Sequence, residues 1–381
     1  MKNTRNNFSD HIAIIGAGIA GLCLGCFLKK SGLPVVIFEK SSSVSNYGAG
    51  ITISPNGINI LKYLDIDNQF ISNSFSPSQT IINDTSKDIL KISSNVITSS
   101  RKTLYSSLKD KYLSLGGEIS FDHELTNVDL KQTKLIFKNF KEYKFAHIVG
   151  CDGIKSVCRK YLLNKNFYPT YSGYSAWRSI IPAKQENIQL FIAPNQHIVT
   201  YPINSNEVSF VGIVKTPNTL DSSWKRKGAY SEVLKEFSPF KNLPSSIINK
   251  KNDYYKWGIY ISPDSKNFCS KNLTLLGDAA HPILPFLGQG ACMSLEDAHI
   301  FAQLLIKNIK NIKKAQREYE NIRIPRIKKI QEFSKTQGFL NHISNPVFIS
   351  IRNFIMRTFP SLINYRLSDI WSYKSILESK N

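Results

Sequence analysis

The stretch His11–Lys40, "HIAIIGAGIAGLCLGCFLKKSGLPVVIFEK", decides the fold. Its apolar pattern predicts a buried strand over Ile12–Ile15, a helix over Leu22–Lys30 and a second strand over Val35–Phe38. The turn between the first strand and the helix, Gly16–Gly21, reads G-x-G-x-x-G. A glycine-rich turn in this position predicts that the chain begins with a βαβ unit of the nucleotide-binding kind.

The glycine-rich turn predicts a dinucleotide site. Gly16 would make the tight turn, Gly18 would let a pyrophosphate approach the start of the helix, and Gly21 would let the helix pack closely on the strand. Glu39, directly after the second strand, would accept hydrogen bonds from ribose hydroxyls. The pattern does not distinguish NAD from FAD, and its structural alternative is an ordinary tight turn. The expected contacts in this part of the chain are Gly16, Gly18, Ile19, Ala20, Gly21, Glu39 and Lys40.

Composition limits the classes of protein to which the chain can belong. Its 381 residues, of which 42% are hydrophobic, suffice for two domains and exclude a mainly disordered chain. The polar N-terminus has no signal-peptide apolar region, so we expect a cytoplasmic protein with reduced cysteines. The run Ile12–Leu28 is apolar, but glycines interrupt it, and the nucleotide-binding interpretation is favoured over a membrane helix.

Charge and cysteine content indicate few other partners. The formal net charge is +21, and the densest basic stretch, Lys307–Gln331, predicts a solvated helix face. Contact with a membrane surface, through this stretch or the amphipathic tail Asn345–Ser375, is an alternative that the sequence does not favour. Nucleic acid binding is not expected, because no recognition motif is present. Cys23 and Cys26 form a C-x-x-C for which helix packing is favoured over a redox pair, and no metal site is expected.

Two later stretches narrow the prediction. "GDAAHPILPFLGQG", Gly277–Gly290, places one acid, Asp278, among residues with small side chains, and its prolines stiffen the turn before a helix. "HIVGCDGIKSVCRKYL", His147–Leu162, predicts a strand that ends at Gly150, followed by an Asp-Gly turn and a short helix. Small side chains leave the backbone accessible, which suggests that a bound molecule lies against it.

These stretches, with "RKTLYSSL", "GYSAWRS" and "YENIRIPR", resemble the class A flavin-dependent monooxygenases, the para-hydroxybenzoate hydroxylase-like group. The resemblance covers nearly the whole chain and is greatest to the salicylate hydroxylase and zeaxanthin epoxidase branch. It implies an α/β fold in which an FAD-binding Rossmann-like domain is interrupted by a mostly antiparallel sheet that forms the substrate domain. The expected segments are 1–75, 98–170 and 269–340 for the FAD-binding domain, 76–97 and 171–268 for the substrate domain, and 341–381 for a helical C-terminal segment.

The resemblance also implies roles for single residues. Asp278 would hydrogen-bond a ribityl hydroxyl of FAD, and Arg101 would reach the pyrophosphate. Asp152 would touch the cofactor backbone, and the loop Tyr47–Gly57 would pack beside the flavin. The start of the helix after the second stretch would stabilise the reduced, anionic flavin. The cofactor contacts implied here are Gly50, Ile51, Arg101, Asp152, Gly277, Asp278, Pro285, Gly288, Gln289, Gly290 and Ala291.

The implied reaction is a monooxygenation. NADH or NADPH would reduce the flavin, and O2 would form a C4a-hydroperoxyflavin that hydroxylates an aromatic, phenolic or salicylate-like small molecule. Epoxidation of a polyene and hydroxylation of a quinone precursor stay open. Rival functions are a flavin-dependent prenyl reductase and a non-catalytic lipid carrier. The oligomeric state is not predicted.

Candidate substrate residues come from the expected sheet domain. "NQHIVTYPI", Asn195–Ile203, predicts a strand whose two-residue period places His197 and Tyr201 on one face. In the resembling family such a strand lies over the flavin. His197 is expected to act as a base on a phenolic proton, with an ordinary pKa near 6.5, and Tyr201 to orient the same hydroxyl. Arg178 is a further candidate, as the partner of a substrate carboxylate. The alternative is that His197 and Tyr201 only pack.

Overall fold

The computed structural model describes residues 8–43, 50–163, 168–220, 226–244, 246–263 and 265–372. Its strands are β1 (Phe8–Ile15), β2 (Val35–Phe38), β3 (Gly50–Ile53), β4 (Gln79–Asn83), β5 (Asp88–Ser93), β6 (Ile97–Ser100), β7 (Glu118–Ser120), β8 (Leu125–Asp129), β9 (Lys134–Phe137), β10 (Glu142–Gly150), β11 (Thr170–Pro182), β12 (Ile188–Ala193), β13 (Gln196–Pro202), β14 (Glu207–Lys215), β15 (Lys227–Gly228), β16 (Tyr254–Ile261), β17 (Cys269–Ser270) and β18 (Leu273–Leu275). Its α-helices are α1 (Ile19–Lys30), α2 (Pro55–Tyr63), α3 (Asp67–Ser72), α4 (Arg101–Ser114), α5 (Val157–Leu163), α6 (Tyr230–Glu236), α7 (Gly290–Lys307), α8 (Ile312–Asn341), α9 (Pro346–Thr358) and α10 (Pro360–Trp371).

The first sheet has the strand order of a dinucleotide-binding fold. Its parallel strands run β18-β10-β1-β2-β7, so the chain builds outward from β1 first on one side and then on the other. Ile15, the last residue of β1, pairs with Gly150 of β10 and with Phe38 of β2. The carboxyl ends of these strands therefore meet at one edge, where the strand order reverses and ligands bind in such folds.

Helix α1 packs on this sheet because its glycines remove side chains where the backbones meet. A Cβ at Gly21 would lie 2.0 Å from the carbonyl oxygen of Gly16. Helix α1 begins at Ile19, three residues earlier than predicted, with Gly18 as its N-cap residue. Cys23 and Cys26 are both buried on this helix, and burial raises the pKa of the Cys26 thiol to about 12. The burial of both thiols favours the packing interpretation over the redox one.

The second sheet is mostly antiparallel, as expected. Its order is β15-β16-β11-β14-β13-β12-β4-β5, and β12 and β4 form its parallel pair. On one face Trp177 packs with Phe210 and Phe237 in a separate apolar core. On the other face Ile213 packs toward the loop that contains Phe286. The face of this sheet that carries Ile213 is therefore the one that lies toward the first sheet.

The chain after the loop 276–289 is helical, as the resemblance implied. Helix α8 buries Ala315 and Tyr319 and exposes most of the lysines of the basic stretch, which confirms the prediction of a solvated helix face. Helices α9 and α10 follow as a pair. In the described ranges no helix is both long and apolar enough to cross a membrane.

The contact between Gly21 and Gly16 yields a prediction for stability. Gly21→Ala should lower the free energy of unfolding by about 1–3 kcal/mol, because its methyl group would overlap backbone that cannot move freely. Gly18→Ala is the matched control: its Cβ would meet no atom within 4 Å, so it should cost less than about 1 kcal/mol. Urea unfolding of the ligand-free protein measures both. Equal losses would contradict the packing account.

Candidate functional site

Two helices begin at the edge of the first sheet without side-chain caps. Neither α1 nor α7 has a capping side chain or an acid in its first turn. A Cβ at Gly18 or Gly290, the residues at these two starts, would meet no protein atom within 4 Å. A Cβ at Gly277 would lie 3.3 Å from Cβ of Ala20 in α1 and 2.8 Å from Oγ of Ser294 in α7, so the two starts converge. Free N–H groups facing open space suit an anionic ligand.

Glu39 is fixed at the same edge by backbone amides. Its carboxylate accepts hydrogen bonds of 3.0 Å from the N–H groups of Ala17 and Ser41. The side chain is half-buried, whereas Lys40 beside it is exposed. A carboxylate has more acceptor sites than these two bonds use, so Glu39 can still receive hydroxyl donors.

Asp278 is exposed in the loop between β18 and α7. The side chain meets solvent, but neighbouring protein atoms displace part of the water around it. This desolvation raises the pKa of its carboxyl group, while the nearby Arg101 lowers it. Arg101 is exposed at the first position of α4, whose N-cap Ser100 accepts a hydrogen bond from Thr103 N–H. An exposed acid and an exposed base therefore face one space, together with the starts of α1 and α7.

Two side chains hold the backbone around Asp278. Asp297 Oδ2 accepts hydrogen bonds from Gly277 N–H at 2.8 Å and from His281 Nε2 at 2.5 Å. Arg159 of α5 donates to the carbonyl oxygen of Ala280 at 2.8 Å. All of these partners are buried. The position of Asp278 is thus set by bonds to the residues on either side of it.

Asp297 belongs to a buried network of four charges. Arg323 donates to Asp297 Oδ1 at 2.7 Å and to Glu296 Oε2 at 2.6 Å, and Arg326 donates to Glu296 Oε1 at 3.0 Å. Asn56 of α2 donates to the same Glu296 oxygen at 2.8 Å. Burial raises the pKa of Asp297, but the interactions with His281, Arg323 and the N–H of Gly277 outweigh this effect and hold the pKa below its usual value. The network joins α2, α7 and α8 to the loop.

The sequence motifs predicted no role for these four residues. Glu296 and Asp297 are adjacent acids in a helix whose other residues are mostly apolar, and Arg323 and Arg326 are three residues apart, on one face of α8. Charges at buried helical positions require partners. The need of these charges for partners is the sequence signal by which the network could have been found.

The start of α7 is positioned by its N-cap residue, Gln289. The side chain of Gln289 points inward: it donates to Ser54 at 2.9 Å and accepts from Asn56 at 3.2 Å. Only the backbone of Gln289 is thus left for the cleft. Gly288 has φ +64°, which favours glycine, and a Cβ there would lie 2.7 Å from Thr52 Oγ1. Other predicted contacts are half-buried around this start, namely Gly50, Ile51, Pro285 and Ala291. Of the loop predicted beside the flavin, Tyr47 to Ala49 lie outside the described residues.

Asp152 makes local hydrogen bonds that its predicted role did not include. Its two carboxylate oxygens accept hydrogen bonds from Ser156 Oγ at 2.5 Å and from the N–H groups of Val157 and Cys158 at 2.7 and 3.1 Å. These are the bonds of a helix cap. The structure therefore uses Asp152 to start α5 and so to position Arg159, instead of directing its oxygens at the cleft.

His197 shares a face of β13 with Tyr201, as predicted, but its surroundings differ from those expected. It is 2% exposed, and its Nδ1 lies 2.7 Å from Nε2 of His342 at the end of α8. Burial, and secondarily His342, hold the pKa of His197 well below 6.5. The expected ordinary pKa is therefore wrong, and this buried pair argues against a base that reaches a substrate.

Tyr201 lies where β3 packs on the large sheet. A Cβ at Gly50 of β3 would approach a ring carbon of Tyr201 to 2.7 Å, so β3 packs directly on the large sheet. Burial raises the pKa of Tyr201, and the nearby Arg178 partly offsets this effect. Tyr201 is buried, whereas Val199 on the same face is only half-buried.

Arg178 is a charged residue on the cleft side of the large sheet. It points away from the core that contains Trp177, and its guanidinium carbon lies 5.1 Å from the centre of the Trp257 ring. Its Nε is buried and has no hydrogen-bond partner in the part of the chain that the structure describes. Burial lowers the pKa of Arg178, Tyr201 raises it and Arg101 lowers it further. A buried guanidinium N–H without an acceptor suits an anionic ligand.

Comparisons with known proteins agree with this geometry. Residues 10–334 match the family described as "FAD binding domain". A 3-amino-4-hydroxybenzoate 2-monooxygenase from Streptomyces platensis is 25% identical over 96% of each chain, and a 3-hydroxybenzoate 6-hydroxylase from Klebsiella oxytoca is 25% identical over 90% of this chain and 91% of that one. Klebsiella pneumoniae HpxO, solved with FAD and uric acid, has a similar fold, with a TM-score of 0.82, 20% identity and coverage of 94% and 96%. A salicylate hydroxylase substrate complex also has a similar fold, with a TM-score of 0.80, 22% identity and coverage of 97% of each chain.

The four-charge network predicts a large and specific loss of stability. Arg323→Met should lower the free energy of unfolding by about 3–5 kcal/mol, because it leaves two buried carboxylates with too little positive charge. Lys329 lies on the same helix as Arg323 and forms a half-exposed ion pair with Asp369 of α10. Lys329→Met removes this pair and should lower the free energy of unfolding by about 0–1 kcal/mol. Urea unfolding compares the two variants. Similar small losses would show that the network does not stabilise the fold.

Proposed function

The chain belongs to the FAD binding domain family, and from that premise we propose that it is an FAD-dependent monooxygenase that hydroxylates a phenolic aromatic carboxylic acid. The observation that carries the choice of substrate is the buried, unpartnered Nε of Arg178 on the cleft side of the large sheet. The relatives whose names specify hydroxybenzoates and salicylate support the same class of ring.

The cleft fits FAD in several respects. The open space at Gly18, together with the uncapped start of α1, suits the pyrophosphate, and Glu39 suits a ribose. Asp278 can accept from a ribityl hydroxyl, and Arg101 adds positive charge. The backbone N–H groups at Gly288, Gln289, Gly290 and Ala291 would face the flavin ring, beside Gly50, Ile51 and Pro285. When bound, FAD supplies the redox chemistry: it accepts a hydride from NADH or NADPH and activates O2.

The residues of the large sheet would hold the substrate ring. Arg178 would pair with the carboxylate, because its buried N–H then gains a charged acceptor. Half-buried Val211 and Trp257 on one side and Leu284 and Phe286 on the other provide apolar surface for the ring and exclude water. Tyr201, close to Arg178, would orient the substrate.

The proton from the phenol requires another acceptor than His197. Because His197 is buried against His342 and its pKa is very low, we assign it to the packing of α8 on β13. In this proposal the phenolic hydroxyl lies at the side of the site that is open to solvent, where water can take the proton. Asp152 contributes through Arg159, which holds the loop.

Oxygen uptake separates this function from its rivals. A prenyl reductase would consume NAD(P)H without O2, and a lipid carrier would consume neither. The test is oxygen consumption by the FAD-loaded protein with NADH or NADPH and a panel of hydroxybenzoates, with identification of the product. Acceleration by a hydroxybenzoate, with one added oxygen in the product, supports the proposal. Reduction of a polyprenyl chain instead would overturn it.

A cytoplasmic location accords with six free cysteines.

Asp278 provides a test of the FAD site. Asp278→Ala should weaken FAD binding by about 1–3 kcal/mol, because a hydroxyl acceptor is lost, while the fold survives. Fluorescence titration of FAD into ligand-free protein measures the affinity, and Asp88→Ala, at the exposed first residue of β5, is the control. Unchanged FAD affinity in Asp278→Ala would remove Asp278 from the site.

Arg178 provides a test of the substrate class. Arg178→Met should weaken the binding of hydroxybenzoates by about 2–5 kcal/mol, because the carboxylate would lose its charged partner in a desolvated site. Phenols that lack a carboxylate should bind wild type and variant alike, and Arg317→Met, exposed on α8, should change nothing. Perturbation of the flavin absorbance reports the binding. If the variant and wild type bind hydroxybenzoates equally, the carboxylate lies elsewhere.

A further inference from the structure

Helices α9 and α10 have their apolar side chains on the outside. Phe354 is 63% exposed and Tyr365 is 77% exposed. Together with Phe339 of α8, the residues that form this surface, here called the apolar helical face, are Val347, Phe348, Ile351, Phe354, Ile355, Phe359, Leu362 and Tyr365. In α9 the spacing of these residues follows one helical stripe. Exposed apolar surfaces of this extent usually mark an interaction site.

Two arginines of the same helices, Arg352 and Arg366, point inward, whereas Arg357 is exposed. Arg352 is buried in α9 and donates to the carbonyl oxygen of Leu340 at 2.9 Å. Arg366 of α10 donates to the carbonyl oxygen of Phe333 at 3.0 Å and lies over its ring. An ordinary surface helix has the reverse arrangement. Polar bonds thus fix the orientation that leaves the apolar stripe exposed.

Further contacts hold both helices on the body of the protein. Met356 of α9 packs against Ile82 and Ile89 of the large sheet. The carbonyl oxygen of Ile370 in α10 accepts a hydrogen bond from Arg326 at 2.8 Å, so α10 is tied to the four-charge network. The apolar helical face is therefore part of the folded molecule.

The charge around this face decides between two occupants. The stretch from Phe333 to Ser368 contains no acidic residue, although Glu332 and Asp369 directly flank it, and Lys335 and Arg357 are exposed basic residues within it. A symmetric dimer would place this basic surface against itself, in a protein whose net charge is +21. A membrane that contains anionic lipids supplies both the apolar environment and the opposite charge.

We propose that the apolar helical face docks on the surface of a membrane that contains anionic lipids. The helices would lie in the plane of the interface, with their phenylalanine, isoleucine and leucine side chains among the acyl chains and the exposed basic residues at the headgroups. The proposal does not depend on the hydroxylase function and adds a peripheral attachment to it.

The test uses the FAD-loaded protein and sedimentation with vesicles. One set of vesicles contains phosphatidylcholine with phosphatidylglycerol, and the other contains phosphatidylcholine alone. The variant Phe348→Gln/Ile351→Gln/Phe354→Gln removes three exposed side chains from the face. The matched control, Phe140→Gln/Tyr168→Gln/Leu234→Gln, removes three exposed apolar side chains from other surfaces. Retained FAD and unchanged thermal unfolding show that each variant is folded.

Wild type and the control should bind the phosphatidylglycerol vesicles equally well. Both should bind these vesicles more weakly in high salt, and both should bind them more tightly than vesicles of phosphatidylcholine alone. The face variant should bind at least about tenfold more weakly, because three apolar side chains no longer insert. Equal binding of the face variant and the control would overturn the proposal. So would a wild-type dimer in sedimentation equilibrium that the face variant converts to a monomer with no loss of vesicle binding, since the face would then be a contact between two copies.

Discussion

The rest of the site depends on two adjacent carboxylates, Glu296 and Asp297, which are buried and paired with Arg323 and Arg326. Burying four charges is costly, and apolar residues of similar size often stabilise a fold as well or better. What apolar residues could not supply is a set of directed bonds. Through Asp297 the network holds the backbone of Gly277, and through Asn56 it holds α2 next to β3. It therefore fixes the loop that presents Asp278 and the start of α7.

The cleft is built from parts that are far apart in the sequence. The edge of the parallel sheet provides the start of α1 and Glu39, the loop held by Asp297 and Arg159 provides Asp278 and the start of α7, and the large sheet provides Arg178. FAD would contact the first two parts and the substrate the third. Because β3 packs on Tyr201 through Gly50, a change in either domain at this point alters the space between them. The chemistry of the cofactor therefore depends on packing between elements that do not themselves react.

Local sequence pattern predicted most of the fold and the general location of the cofactor. The glycine turn, β2 and the strand β13 depend on residues that are close in sequence, so periodicity and turn chemistry were sufficient. The environment of His197 could not be predicted in this way, because His342, which shifts its pKa, is 145 residues away. Asp152 was assigned by resemblance to the cofactor, yet local hydrogen bonds to α5 use its carboxylate. The four-charge network depends on the packing of α7 against α8, which no short motif specifies.

The central claim is that the cleft where α1 and α7 begin holds FAD. The visible absorption spectrum of the purified protein tests it most directly, followed by identification of any chromophore that denaturation releases. This account predicts a yellow protein that releases one FAD per chain, or a colourless one that becomes yellow when FAD is added. A protein that stays colourless with added FAD, or that releases a different chromophore, would contradict it.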